Sequence, residues 1–188
     1  MEGVVIYKSK YGATEQYARW IGSALKLPVI KAGEFVSSEL SKYDFVILGS
    51  SVYIGKLFMK KWLKKNLSAL LNKKVFLFVV SGTPLNQKAK LDGYVAASLP
   101  REAINRTDIH FLPGRLEIKK LSGFDRFMIK MTARLSKYAD AKDQMITGYD
   151  RVNQQNITDL IKSVIKFQKK DQQRASVFIT SARPHVEP

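Results

Sequence analysis

An α/β fold, a doubly wound parallel sheet with helices on both faces, is what this sequence predicts, and two observations carry the prediction. Short runs rich in β-branched and aromatic residues alternate along the chain with segments of helical periodicity. The runs are apolar at nearly every position, which fits strands covered on both sides rather than on one. Sheets of this plan bind their ligands at the carboxyl ends of the strands.

The elements follow in chain order. Residues 3–8 (GVVIYK), 28–31, 43–49 (YDFVILG), 74–81 (KVFLFVVS) and, more weakly, 108–112 (DIHFL) read as strands. Helical spacing links Ala13, Tyr17, Trp20, Ile21 and Ala24, then Trp62, Leu63, Leu67, Leu70 and Leu71, and finally Ile157, Leu160, Ile161, Val164 and Ile165. The resulting order is β-α-β-β-α-β-α-β-α, with no internal repeat or linker. Residues 1–171 therefore form one domain. Residues 172–188, with the run QQR, two prolines and the apolar patch 177–179 (VFI), read as an appended tail.

Composition limits the chemistry. A chain of 188 residues that is 45% hydrophobic can bury a core, unlike a disordered chain. There is no cysteine, which excludes disulfides, thiol nucleophiles and iron-sulfur ligation. His110 and His185 are the two histidines, too few for a histidine-rich metal centre, and no metal site is expected. No apolar run reaches the roughly 20 residues of a membrane span, so a cytoplasmic protein is expected. The charge is the unusual number: Lys and Arg total 32 against 16 acids, a net +16 that attracts an anionic partner. Lys56, Lys60, Lys61, Lys64, Lys65, Lys73 and Lys74 fall in one stretch without an acid.

Three loops share the carboxyl edge of the sheet. The first, Ser9-Lys10-Tyr11-Gly12-Ala13-Thr14, joins the first strand to the first helix. Unpaired amides and a positive helix dipole at that point suit a phosphate, with Ser9 and Thr14 adding hydroxyls and Gly12 allowing close approach. It is equally an ordinary turn with Thr14 as N-cap. The second, Ser50-Ser51-Val52-Tyr53-Ile54-Gly55, and the third, Ser81-Gly82-Thr83-Pro84, combine small and hydrogen-bonding residues. A planar ring fits between them, with Tyr53 either stacking on it or packing against the domain.

Together these segments resemble the three FMN-binding loops of flavodoxin-like proteins. The resemblance implies a five-stranded sheet of order 2-1-3-4-5, with FMN phosphate in the first loop and the isoalloxazine ring between the other two. No G-x-G-x-x-G follows the first strand, so a dinucleotide fold is not indicated. Residues 113–147 form a basic helical insertion after the fifth strand. The run FDRFMIK (124–130), following Gly114-Arg115-Leu116 and preceding Tyr149-Asp150, resembles the menaquinone-dependent protoporphyrinogen oxidase branch of these proteins. That likeness implies oxidation of protoporphyrinogen IX in heme biosynthesis with a quinone as acceptor.

The insertion also has a reading from its residues. Phe124, Phe127, Met128, Met131 and Leu135 share one helical face, and Arg126, Lys130, Arg134 and Lys137 another. Such a helix lies on an anionic membrane or packs its apolar face on the sheet. Lys60, Lys61, Lys64, Lys65, Arg126, Phe127, Lys130 and Arg134 are the candidate membrane or partner surface, which would place the protein on the cytoplasmic membrane face. No catalytic acid or base is identified: His110 reads as structural, and Asp125 and Asp150 as caps or salt-bridge partners. Two alternatives are a basic flavodoxin carrying electrons to a protein partner and a reductase of another substrate. Nucleic-acid binding ranks last, because it leaves the three loops unexplained and no recognition motif is visible.

Overall fold

The computed structural model describes the backbone of residues 1–135 and 139–181, and the side chains of 1–134 and 142–173. Alternating side chains build two cores from one sheet. Val4, Ile6, Val46, Leu48, Leu77 and Val79 are buried on one face, and Val5, Ile47, Phe45, Phe76 and Phe78 on the other. The strands are β1 (Gly3–Lys8), β2 (Val29–Lys31), β3 (Phe45–Tyr53), β4 (Lys56–Leu57), β5 (Lys74–Ser81) and β6 (Thr107–Pro113). Their order is β2-β1-β3-β5-β6, all parallel, with β4 turning back antiparallel onto the end of β3. Leaving out the short β4, this is the expected order 2-1-3-4-5.

Helices cover both faces. On one side α1 (Ala13–Leu25) and α8 (Thr158–Ser181) bury Tyr17, Ala18, Ile21, Leu160 and Val164. On the other lie α2 (Lys60–Lys65), α3 (Leu67–Leu71), α4 (Lys88–Ala96) and α5 (Arg101–Arg106), which contribute Leu63, Leu70, Val95 and Ala103. The single helix expected across residues 62–71 is broken at Asn66. Its side-chain amide donates to the Trp62 carbonyl at 2.9 Å, a local bond that competes with the helical ladder. The third strand runs four residues beyond Gly49, so Ser50–Tyr53 are strand rather than loop. Pairing with β4, Val52 opposite Leu57 and Tyr53 opposite Lys56, satisfies that extra length. Residues 172–181 of the expected tail continue α8, so 177–179 are helical. Residues 182–188 lie outside the described residues.

The insertion stands on a two-stranded neck. β7 (Arg115–Leu116) pairs antiparallel with β8 (Tyr149–Asp150), and between them come α6 (Gly123–Leu135) and α7 (Ala139–Thr147). One buried residue of α1 pins both ends of this excursion. The Tyr17 hydroxyl donates to the Pro113 carbonyl at 2.9 Å and accepts from the Asn156 amide at 2.8 Å.

Candidate cofactor cleft

The first loop opens directly onto the start of α1. Gly12 is the N-cap in the left-handed region at φ 89°, where a glycine carries no steric cost. Its amide donates to Ser9 Oγ at 3.0 Å, and no side chain caps the helix. Thr14 therefore lies inside the first turn and is not the N-cap. Its hydroxyl is fully buried and has no hydrogen-bond partner, as is true of the buried Ser51 hydroxyl. Unpaired buried hydroxyls cost free energy and invite an acceptor from outside the chain.

These residues wall a cavity of about 470 Å³ at the carboxyl ends of β1, β3 and β5. That is within the common range of about 300–1,000 Å³ for small-molecule sites. Of the residues expected from sequence, Ser9, Lys10, Tyr11, Ala13, Thr14, Ser51, Val52, Tyr53, Ile54, Gly55, Ser81 and Gly82 line it. Gly12 shapes the turn behind them. Ser50, Thr83 and Pro84 do not contribute to the lining. The Ser50 hydroxyl turns inward, accepting from the Met59 amide at 3.1 Å, and Thr83 Oγ1 lies 3.0 Å from the Tyr94 hydroxyl.

Val80 of β5 and Gly114 complete the floor, and the remaining wall comes from the insertion and its neck, which the sequence does not mark as part of the site: Arg115, Leu116, Leu121, Asp125, Met128, Ile129, Thr132 and Tyr149. Asp125, Met128, Ile129 and Thr132 recur at helical spacing, so a stripe offset from the obvious apolar one was available as a signal. Tyr149 meets the third loop with its hydroxyl end. A Cβ on Gly82 would fall 1.9 Å from the Tyr149 hydroxyl oxygen, so this contact requires glycine. Burial pushes the Tyr149 phenol above its ordinary pKa, with Arg151 opposing.

Asp125 ties α6 to two of the three loops. Its carboxylate takes Lys10 Nζ at 2.6 Å, accepts from the Tyr53 hydroxyl at 2.8 Å and also accepts from the Tyr11 hydroxyl. Burial works against its ionisation, but hydrogen bonds from Lys10, Tyr11 and Tyr53 outweigh it and lower its pKa to about 2. Lys10 is raised although its own burial disfavours the cation, because Asp125 and then Tyr53 hold the charged form. Its ammonium also sits 3.5 Å from the Tyr53 ring centroid.

The outer surface of α6 has the opposite character. Phe124 is 60% and Phe127 59% exposed, with Met131 also exposed and Met128 at the border with the cleft wall, beside exposed Arg126, Lys130 and Arg134. Lys137 and the side chain of Leu135 lie outside the described residues. On α2, Lys61, Lys64 and Lys65 are exposed, whereas Lys60 is engaged with the Ala97 carbonyl at 2.6 Å. His110 is remote from the cleft, with Nε2 3.2 Å from Asp108 Oδ1, and burial lowers its pKa.

Among solved structures, an archaeal flavodoxin is 20% identical, covering 59% of this chain and 85% of its own, with a TM-score of 0.39. Oxidised flavodoxin 2 of Bacillus cereus is 22% identical (60% and 86% covered, TM-score 0.41). The Streptococcus pneumonia TIGR4 flavodoxin is 14% identical (77% and 92% covered, TM-score 0.40). Those scores are too low to carry weight, and no curated protein matches the chain. The assignment rests on the family model described as the flavodoxin domain, which matches residues 4–143. The cleft suits the FMN of that domain, offering an open helix N-terminus and two unpartnered buried hydroxyls. This chain belongs to the flavodoxin-domain family and is an FMN-binding redox protein.

Proposed function

We propose that the protein oxidises protoporphyrinogen IX in heme biosynthesis through FMN, with a quinone as acceptor, while resting on an anionic membrane surface. The observation that carries this reading is the two-sided α6 helix. Asp125, Ile129 and Thr132 belong to the cleft wall, while Phe124, Phe127 and Met131 are exposed beside three cations. A helix of that kind brings a lipid surface, where quinone resides, next to the redox site. Among the described residues no helix is long and apolar enough to cross a membrane, and this reading takes the contact as a peripheral one.

Bound FMN supplies hydride and single-electron chemistry. The chain's own groups bind and orient. Ser9, Thr14 and the α1 amides hold the phosphate; Ser51 to Gly55 and Ser81-Gly82 flank the ring. Leu116, Leu121, Met128 and Ile129 exclude water. Asp125, ionised at neutral pH, accepts hydrogen bonds and fixes Lys10, Tyr11 and Tyr53 rather than donating a proton. Basic residues at the rim pair with the substrate's propionates. Each electron pair and its protons leaving the porphyrinogen end on the quinone as quinol.

The test is an anaerobic fluorescence assay of FMN-loaded protein, following protoporphyrin formation with a soluble menaquinone analogue. FMN- and quinone-dependent porphyrin formation is the expected result. Flavin-loaded protein that forms no porphyrin yet exchanges electrons with a protein partner overturns the substrate assignment and marks an electron carrier.

A further inference from the structure

We infer that Arg115, at the neck of the insertion, is the cationic partner of the cofactor's phosphate, an inference that rests on the FMN reading above. Lys10 and Arg115 are the two cations lining the cleft among the described residues. Lys10 is committed to Asp125 at 2.6 Å. Arg115 is differently placed. Its side chain is 19% exposed, and its Nη2 would stand 3.8 Å from a Cβ on Gly12, the residue that caps α1.

Its salt bridges orient the guanidinium and leave donors free. Glu117 Oε1 lies 2.9 Å from Nε, and Asp150 Oδ2 lies 3.2 Å from Nη1. Both acids are shared with other groups: Glu117 with Lys120 at 2.8 Å, and Asp150 with the Val152 amide at 2.9 Å. Nε, although beside Glu117, makes no aligned hydrogen bond and is buried. Thr14 Oγ1, fully buried in the first turn of α1, is the other unpartnered donor of this end of the cleft. A helix N-terminus, an orphan hydroxyl and an oriented guanidinium with spare N–H groups together match a phosphate. Arg115 and Asp150 are also paired across β7 and β8, so an anion held by Arg115 tightens the neck from which α6 and α7 extend.

The experiment compares FMN with riboflavin, which lacks only the phosphate, by quenching of flavin fluorescence. Wild type binds FMN more tightly; Arg115→Gln loses about tenfold or more in FMN affinity and leaves riboflavin within about a factor of two, as a charged hydrogen bond predicts. Arg115→Lys recovers part of the loss. Equal loss for both flavins, or no loss, overturns the inference. If Arg115→Gln does not fold, phenylglyoxal modification of wild type decides: FMN shields the Arg115 peptide and riboflavin does not, whereas equal shielding or none refutes the role. Wild type that binds neither flavin instead refutes the FMN reading itself.

Discussion

Two aromatic populations in this molecule obey opposite rules. Phe45, Phe76 and Phe78 are sealed between the sheet and its helices, with Phe45 and Phe76 making edge contacts to Phe167 at 5.9 and 6.0 Å. Phe124 and Phe127 on α6 stand in solvent, while the side of the same helix that is covered presents the carboxylate of Asp125. Burial in the domain follows hydrophobicity; in the insertion Asp125 and Leu121 are buried at the cleft, and on α6 the small Ala133 is buried while the large rings are not. An apolar stripe therefore identifies core in the first region and a contact surface in the second.

The largest expected effect tests that contrast directly. Phe76→Ala removes a fully buried ring and should cost about 3–5 kcal/mol in denaturant melts. Phe127→Ala should stay within about 0.5 kcal/mol yet weaken retention on anionic vesicles. Equal destabilisation by the two would show that α6 is packed like the domain.

Next comes the polar contact that fastens α6. Asp125 has a pKa below its unfolded value, so its contribution, about 2 kcal/mol, is fully present above about pH 4 and is lost as pH falls through about 2. Asp125→Asn should remove a similar amount at neutral pH and flatten that acid limb. An unchanged acid limb would dissociate α6 docking from this carboxylate. Tyr17→Phe should cost about 1–2 kcal/mol by unpairing the Pro113 carbonyl and the Asn156 amide. Amide exchange should quicken at residues 149–156 and not in β3; uniform acceleration would deny Tyr17 its role at the neck.

The smallest effect has the opposite sign. Ile54 holds φ 46° in the two-residue turn between β3 and β4, a region that disfavours β-branched side chains. Ile54→Gly should stabilise the protein by about 1 kcal/mol. Because Ile54 lines the cleft, a simultaneous loss of flavin affinity would show that the strain serves the site.

The sheet was legible in the sequence because its strands are apolar on both faces, and so was the strand-to-helix turn at Gly12, where an apolar run met helical spacing. The turn of β3 back through β4 was not, because Ser50 to Tyr53 carry little hydrophobic signal and are held as strand by pairing with Lys56 and Leu57. Asp125 was visible as a salt-bridge partner, but its partners Lys10, Tyr11 and Tyr53 lie more than seventy positions away in the chain. In the sequence Arg115 and Tyr149 stand out only through the motif likeness. Their place in the wall depends on the β7–β8 neck, two residues per strand, too short to leave a pattern.

Residues of the insertion wall the same cleft as the three loops, which makes it part of the proposed cofactor site and not an appendage beside it. Hydrogen exchange with and without FMN tests it most directly. Exchange should slow on FMN binding at residues 9–16 and 51–55 together with 115–116 and 121–132. Protection confined to the loops, with α6 and the neck exchanging as before, would contradict it.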